Sequence, residues 1–191
     1  MSLIIKPKIE PYKAPFLTLV AGASVVKALS NLGVEASIKW PNDIIVHNKK
    51  ICGILTELSA EMERVNYVVI GIGINIKTID FPDEIKEKAT SLYKEGYKLS
   101  RVDIVRQFCI EFEKLYKGYI LDGNKQDTLE LCRKYSAIIG KQVYVIKNNK
   151  RELVKCIDIN ENGNLIVKEK NGEIQEIMSG EVSIRGVKGY V

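Results

Sequence analysis

The sequence holds a single histidine, His47, set in a polar stretch. A zinc site or a Ser-His-Asp triad is therefore not expected. Its four cysteines, Cys52, Cys109, Cys132 and Cys156, are widely spaced and form no CxxC pair. They read as four buried thiols in a reducing compartment. No apolar run approaches the roughly 18–20 residues that span a bilayer, and the N-terminus lacks the regions of a signal peptide. Neither membrane association nor export is expected, and the location implied is cytoplasmic. The basic excess is small, +5 over 191 residues, and is spread along the chain without a tail or arm. That gives nucleic-acid binding little support. No internal repeat or low-complexity stretch is present. What remains is ordinary globular composition, 46% hydrophobic and 28% charged, at a length that suits one domain and a small appendage.

The hydrophobic pattern divides the chain in two. Leu3-Ile4-Ile5 reads as a strand, and Pro7, Pro11 and Pro15 punctuate the loop after it. From Pro15 to about Asn31, Leu17, Val20, Ala21, Ser24, Val25, Ala28, Leu29 and Leu32 recur at helical steps, and Gly33 suits a left-handed stop. Strands are predicted at Ala36–Lys39, Ile44–Val46, Ile51–Leu58 and Tyr67–Ile76. The first part of this block forms a hairpin through His47-Asn48-Lys49-Lys50. The nearly continuous apolar run Val65–Ile76 suggests a strand buried on both faces. Ser100-Arg-Val-Asp103 opens a second helix in the manner of a capping box. Val105, Phe108, Cys109, Phe112, Leu115, Tyr116 and Tyr119 give that helix one apolar stripe, and Asp122-Gly123-Asn124 ends it. A short helix follows from Thr128 to about Ser136. Beyond it lie five short strands, Gln142–Ile146, Leu153–Ile159, Leu165–Lys168, Ile174–Met178 and Val182–Arg185. Asn148-Asn149, Asn162-Gly163 and Asn171-Gly172 turn between four of them. Evenly spaced strands of this kind predict a small barrel, and the domain boundary falls at residues 136/137.

Three stretches carry chemistry. Lys39-Trp40-Pro41-Asn42-Asp43 crowds the only tryptophan, a cation, an amide and a carboxylate into one strand connection. It reads either as a core tryptophan followed by a turn, or as positioned polar groups at a strand end. Lys50-Ile51-Cys52-Gly53-Ile54-Leu55 pairs a lysine, which could simply be solvated, with a glycine inside a strand. Such a glycine often marks the close approach of a ligand or backbone. Gly71-Ile72-Gly73-Ile74-Asn75 sets two glycines and an amide on one strand face. That is a shallow strip for a ligand or a place of tight packing. It is not a dinucleotide fingerprint, since no helix and no third glycine follow.

Taken in order and spacing, KWPNDIIV, KKICGILTE and VVIGIGIN resemble the central motifs of the biotin protein ligases, the biotin–[acetyl-CoA-carboxylase] ligases. The opening SLIIKP, the segment Ala89-Thr90-Ser91-Leu92 and the stretch Ser179-Gly180-Glu181-Val182-Ser183-Ile184-Arg185 are similar to further family segments, so the likeness runs along essentially the whole chain. Lipoate–protein ligases share the broader architecture, but KWPND favours biotin. The resemblance implies an α+β fold: a mixed-sheet, class II synthetase-like catalytic domain, residues 1–136, followed by a C-terminal SH3-like barrel, residues 137–191. It implies formation of biotinyl-5'-AMP from biotin and ATP with Mg2+, then transfer of biotin to a lysine of a biotin carboxyl carrier domain. No protein metal ligand is assigned; Mg2+ would arrive with ATP. By position Lys50 matches the family lysine that meets the biotin carboxyl and the phosphate, a fixed cation between two anions. Asp43 matches the aspartate beside the reacting phosphate, and orients groups or a metal-bound water. Lys39, Trp40, Asn42 and Leu55 would shape the biotin and adenylate pocket over a floor of Gly53, Gly71, Gly73 and Ile74, where a further Cβ at the glycines would intrude. Asn75 would meet adenine, and Glu181 and Arg185 would approach the nucleotide side.

The family pattern also includes an earlier Ser/Thr segment and a Gly-Arg-Gly-Arg-like loop that closes over biotin and the adenylate phosphate. Neither occurs in these 191 residues. Such a loop excludes water and offsets phosphate charge, so the expectation is an N-terminally truncated ligase with little activity. The alternative is a non-catalytic, degenerate paralogue that serves as a binding or dimerisation module. Self-association through the sheet is expected in either case.

Overall fold

The structure is a computed structural model, and it describes all residues except 148–149, 180–182, 188–189 and 191. Two five-stranded sheets carry the fold. The first takes β1 (Ser2–Ile5), β2 (Ser37–Lys39), β3 (Asp43–Val46), β4 (Lys49–Ala60) and β5 (Val65–Ile74) in the order β1-β5-β4-β3-β2. Its ladders are antiparallel, and its mixed character rests on two parallel bridges, Ile38 with Ser136 and Lys50 with Ala89. The second sheet takes β6 (Gln142–Lys147), β7 (Lys150–Ile159), β8 (Leu165–Lys168), β9 (Ile174–Ile177) and β10 (Ser183–Gly186) in the order β10-β6-β7-β8-β9. This is the SH3-like element.

Helix α1 (Phe16–Asn31) is the centre of the core, with 12 of its 16 residues buried. It lies on the back of the first sheet, where Thr18 Oγ1 donates to Thr56 Oγ1 at 2.9 Å. Together with the turn before it, Pro11–Asn31 is long and apolar enough to cross a membrane by length and composition. Burial on nearly all sides is why it reads as apolar throughout: it is sandwiched between a sheet and other helices. Helix α2 (Arg101–Asp122) packs along α1. The Ser100 side chain accepts from the Val102 N–H at its start, and Gly123 ends it at φ 66°. Ile104, Phe108, Phe112, Leu115 and Tyr119 form its buried face. Val105 and Cys109, placed on the stripe by spacing, point outward instead. Cys109 is the exception to the expectation of four buried thiols. Helix α3 (Gln126–Lys134) leads into the second sheet.

One face of the first sheet is left open. Tyr67 is 43% exposed and Ile4 66% exposed, whereas Val68, Ile70 and Ile72 are buried against the helices. The expectation that Val65–Ile76 is buried on both faces therefore fails for alternate residues. The glycines at 71 and 73 fill the apolar run without filling a core.

The two sheets are joined at one seam. The Trp40 indole N–H donates to the Gly163 carbonyl at 3.0 Å, in the turn between β7 and β8. Gly163 sits at φ +85°, and a Cβ there would lie 2.4 Å from Leu19 Cδ1 and 3.2 Å from Phe16 Cδ2. Arg133 adds a second tie, with Nε 2.8 Å from Asp158 Oδ1 and a further bond to the Ile159 carbonyl. Gly163→Ala forces both a left-handed L-residue and a clash with α1. It is expected to cost roughly 2–4 kcal/mol, read from urea denaturation against the wild type.

Candidate functional site

Register builds the site. Lys39 pairs with Asp43, Asp43 with Gly53, and Gly53 with Gly73. Residues directly opposite on neighbouring strands project to the same face. These four thus form one row across β2, β3, β4 and β5 on the open side: a cation, a carboxylate and two positions without side chains. Leu55 and Gly71, also paired, make the next row.

Lys50 joins the row because β4 carries an irregularity. Ile44 pairs with Cys52 but Ile45 pairs with Lys50, so Ile51 is an extra residue. A bulge breaks the two-residue alternation. Ile51 and Cys52 are both buried, and Lys50 comes to the same face as Gly53. Its ammonium forms an ion pair with Asp43 Oδ1. A Cβ on Gly53 would stand 3.1 Å from Lys50 Cε and Nζ and 3.8 Å from Asp43 Oδ1. The glycine is what lets the lysine lie across the strand.

The surrounding backbone is pinned by amides. Asn42 Nδ2 donates to the Ile54 carbonyl at 2.8 Å and the Ile54 N–H to the Asn42 carbonyl at 2.9 Å, which fixes the connection that follows the cis Trp40–Pro41 bond. The Asn75 N–H donates to the Ile51 carbonyl at 2.7 Å, and its Nδ2 to the Thr90 carbonyl at 3.1 Å. The parallel bridge from Lys50 to Ala89 holds that same loop against β4.

The result is a cavity of about 590 Å³, lined among others by Asn42, Asp43, Lys50, Gly53, Gly73, Asn75, Lys88 and Arg185. A neighbouring groove of about 240 Å³ includes Asn42 and Leu55. Other residues singled out in the sequence fall elsewhere. Ile74 pairs with Cys52 and packs toward the core. Trp40 is 1% exposed and turned to the seam between the sheets. Glu181 lies outside the described residues. Burial pushes the Cys52 thiol up to about 12, so it is an inert wall rather than a nucleophile.

Lys39 stands at the closed end of the row. It is 2% exposed, and its Nζ has no hydrogen-bond partner among the described residues. It lies 3.4 Å from the centroid of the Tyr190 ring. Burial, with the nearby charges of Arg185 and Lys50, lowers its pKa to about 8, against the opposing pull of Asp43. Tyr190 also donates its phenol proton to Asp43 Oδ2. Nothing in the sequence marks this tyrosine, which follows the barrel's last strand and carries no motif. Lys88 was equally unmarked, although it adjoins the Ala89-Thr90-Ser91-Leu92 segment.

A carboxylate set among Lys39, Lys50, Lys88 and Arg185 on a shallow glycine floor is a site for a substrate with several negative charges. Comparison with known proteins gives the family and the fold. Residues 1–75 match the family model of the biotin/lipoate A/B protein ligases, which defines the class. Residues 138–185 match that of the biotin protein ligase C-terminal domain. The bifunctional ligase/repressor BirA of Bacillus subtilis strain 168 is 39% identical over 188 residues, covering 96% of this chain and 57% of that protein. The apo biotin protein ligase from Aquifex aeolicus superposes with a TM-score of 0.83 at 29% identity, over 97% of this chain and 80% of that one. The Aquifex ligase in complex with biotin and ATP gives 0.80 at 27% identity, over 97% and 78%. The chain belongs to the biotin protein ligase family, and it spans little more than half the length of the curated relatives it matches.

The lowered pKa of Lys39 has a direct thermodynamic sign. Between about 8 and the ordinary 10.5, the unfolded chain binds a proton at this position that the folded chain has released. Stability from this group therefore rises with pH across that window. Lys39→Met is expected to stabilise the protein most below pH 8. Its advantage over the wild type should shrink toward pH 10.5, as measured by urea midpoints at several pH values.

Proposed function

We propose that this chain binds biotin and ATP on the open face of the first sheet, forms biotinyl-5'-AMP with release of pyrophosphate, and passes biotin to a lysine of a biotin carboxyl carrier domain in the cytoplasm. The observation that carries the reading is the Lys39–Asp43–Gly53–Gly73 row with Lys50 laid across it. Two anions, a carboxylate and an α-phosphate, must meet for an adenylate to form, and their repulsion is the main barrier to that encounter. A fixed ammonium between them lowers it. Lys50 stands at that point, held by Asp43 and given room by Gly53. One carboxylate oxygen of the substrate attacks the α-phosphorus and pyrophosphate leaves. In the second step a carrier lysine attacks the anhydride carbonyl and AMP leaves.

Asp43 keeps Lys50 oriented in the first step and is placed to take a proton from the incoming amine in the second. Gly53 and Gly73 let the planar parts of the adenylate lie against the backbone. Asn75, beside the Thr90 carbonyl, sits at the end of the strip where the base would rest. Arg185 and Lys88 face the nucleotide side. Both Asp43 oxygens are engaged, by Lys50 and by Tyr190, and no cluster of three or more His, Cys, Asp or Glu occurs among the described residues. This donor set fits Mg2+ carried in on the ATP phosphates, with the ion shielding their charge, rather than held in a protein cage. Division of labour at residues 136/137 completes the proposal: the first part supplies the row, and the barrel supplies Arg185.

The test is biotin-dependent ATP–pyrophosphate exchange. Weak wild-type exchange is expected, since these 191 residues hold no Gly-Arg-Gly-Arg-like loop, and Lys50→Ala is expected to take it to background. Exchange insensitive to that substitution would remove Lys50 from the chemistry. Binding of biotinyl-5'-AMP without any exchange would favour the non-catalytic binding module instead.

We also propose a homodimer formed through the free edge of the first sheet at β1. Ile4 on the edge strand β1 is 66% exposed, and Leu55 and Tyr67 on the same face are 62% and 43% exposed. An unpaired strand edge beside apolar side chains invites a second copy. Light scattering across a concentration series is expected to show a monomer–dimer equilibrium that Ile4→Lys abolishes. A monomer at all concentrations would reject it.

A further inference from the structure

We propose that Tyr190 is a displaceable gate on the anion site: in the empty protein its phenol occupies Asp43 and its ring covers Lys39, and an incoming polyphosphate expels it and takes Lys39 as a direct ligand. The proposal deepens the reading above. It rests on the anion-binding character of that site, not on the ligation chemistry.

The geometry is that of a stand-in. Lys39 carries an unmet demand: it is a buried ammonium whose Nζ finds no hydrogen-bond acceptor among the described residues. It rests instead on the Tyr190 π face at 3.4 Å. A ring offsets part of the cost of burying a cation, but a phosphate oxygen accepts charge-assisted hydrogen bonds that a ring cannot offer. Arg185 and Lys50 raise the demand, since each repels the Lys39 charge and each would be relieved by an anion. Tyr190 satisfies Asp43 in the same way, by a hydrogen bond from a neutral phenol. Burial and the neighbouring Asp43 push its own pKa upward, so the gate stays neutral and does not itself compete as an anion.

Tyr190 also packs against the hydrophobic core, and its carbonyl accepts a backbone bond from the Gly186 N–H at 3.4 Å; these are the contacts an arriving anion must displace. Tyr190 lines the cavity wall while Lys39 does not. Swinging the ring away therefore joins Lys39 to the existing cavity and brings it together with Lys50, Lys88 and Arg185. The ligand class is a compact polyanion, an inorganic pyrophosphate or the polyphosphate end of a nucleotide, because four cations would then face one cavity.

The test uses inorganic pyrophosphate as the probe, in calorimetric titrations of the whole chain. Tyr190→Ala is expected to bind about tenfold more tightly than wild type, because no gate must be moved. Tyr190→Phe, which keeps the ring and loses the bond to Asp43, should fall between them, and adding Lys39→Met to Tyr190→Ala should erase the gain. Equal or weaker binding by Tyr190→Ala would make the ring a fixed part of the wall and overturn the gate. Pyrophosphate binding by neither protein would overturn it as well. A measurement on the wild-type sequence guards against a misfolded variant. In fluorotyrosine-labelled chain, with the Tyr190 resonance assigned by Tyr190→Phe, pyrophosphate should move that ¹⁹F signal to a solvent-exposed position. An unmoved signal at saturation sinks the idea. Pyrophosphate binding needs no biotin, so a gate that opens in a protein without biotin-dependent exchange would count against ligation alone.

Discussion

Everything at the site hangs on the register of four short antiparallel strands. Because Lys39, Asp43, Gly53 and Gly73 stand opposite one another, charge and empty floor share a line. A one-residue slip in any ladder would send one of them to the helix side. The extra residue at Ile51 belongs to the same constraint. It sends two consecutive apolar side chains into the core, and the lysine before them can turn to the open face without a break in the strand. The ion pair of Lys50 with Asp43 is thus written into backbone hydrogen bonds before either side chain is considered.

The electrostatic character follows from that placement. Asp43 is the one acidic side chain lining the cavity among the described residues, and it faces a ring of cations supplied from both sheets. Had these charges been scattered on a solvated surface, screening would have left them little influence. Here the cavity is walled by backbone and by buried residues such as Cys52, and Lys39 is held almost out of water. An anion entering this cavity would meet preorganised partners, and the protein has already borne the cost of gathering them. Part of that cost is visible as the lowered pKa of Lys39.

Most of the fold was legible because local signals agreed with the tertiary structure. Asn148-Asn149 lies outside the described residues, but Asn162-Gly163 and Asn171-Gly172 do turn between strands, Ser100 caps α2, and Gly123 ends it in the left-handed region. Spacing failed where burial was decided by a partner. Cys109 sits at a plausible stripe position, yet α2 is covered on a narrower arc than its apolar residues suggested. The run Val65–Ile76 buries only alternate residues, and on its other face Gly73 lines the cavity, which continuous hydrophobicity does not distinguish from a core. At the site itself, Asp43, Lys50, Gly53 and Gly73 stood out through their motifs. Tyr190 did not, since its role comes from being brought within reach of β2 and β3 across the whole length of the chain. Trp40 was visible as special, but its neighbour on the barrel could be found only in three dimensions.

The seam at Trp40 makes the two sheets one object. The indole that follows Lys39 in the chain is bonded to a carbonyl of the barrel, and the glycine at that turn is wedged against Leu19 and Phe16 of the central helix. A turn between two strands ordinarily tolerates changes in length and sequence, but this one has no room for a Cβ at Gly163 against Leu19 and Phe16. The barrel is therefore less an appendage than a clamp. Any strain that loosens its β7–β8 turn reaches the backbone beside Lys39 through the Trp40 side chain, so the two halves are coupled mechanically right at the charged row.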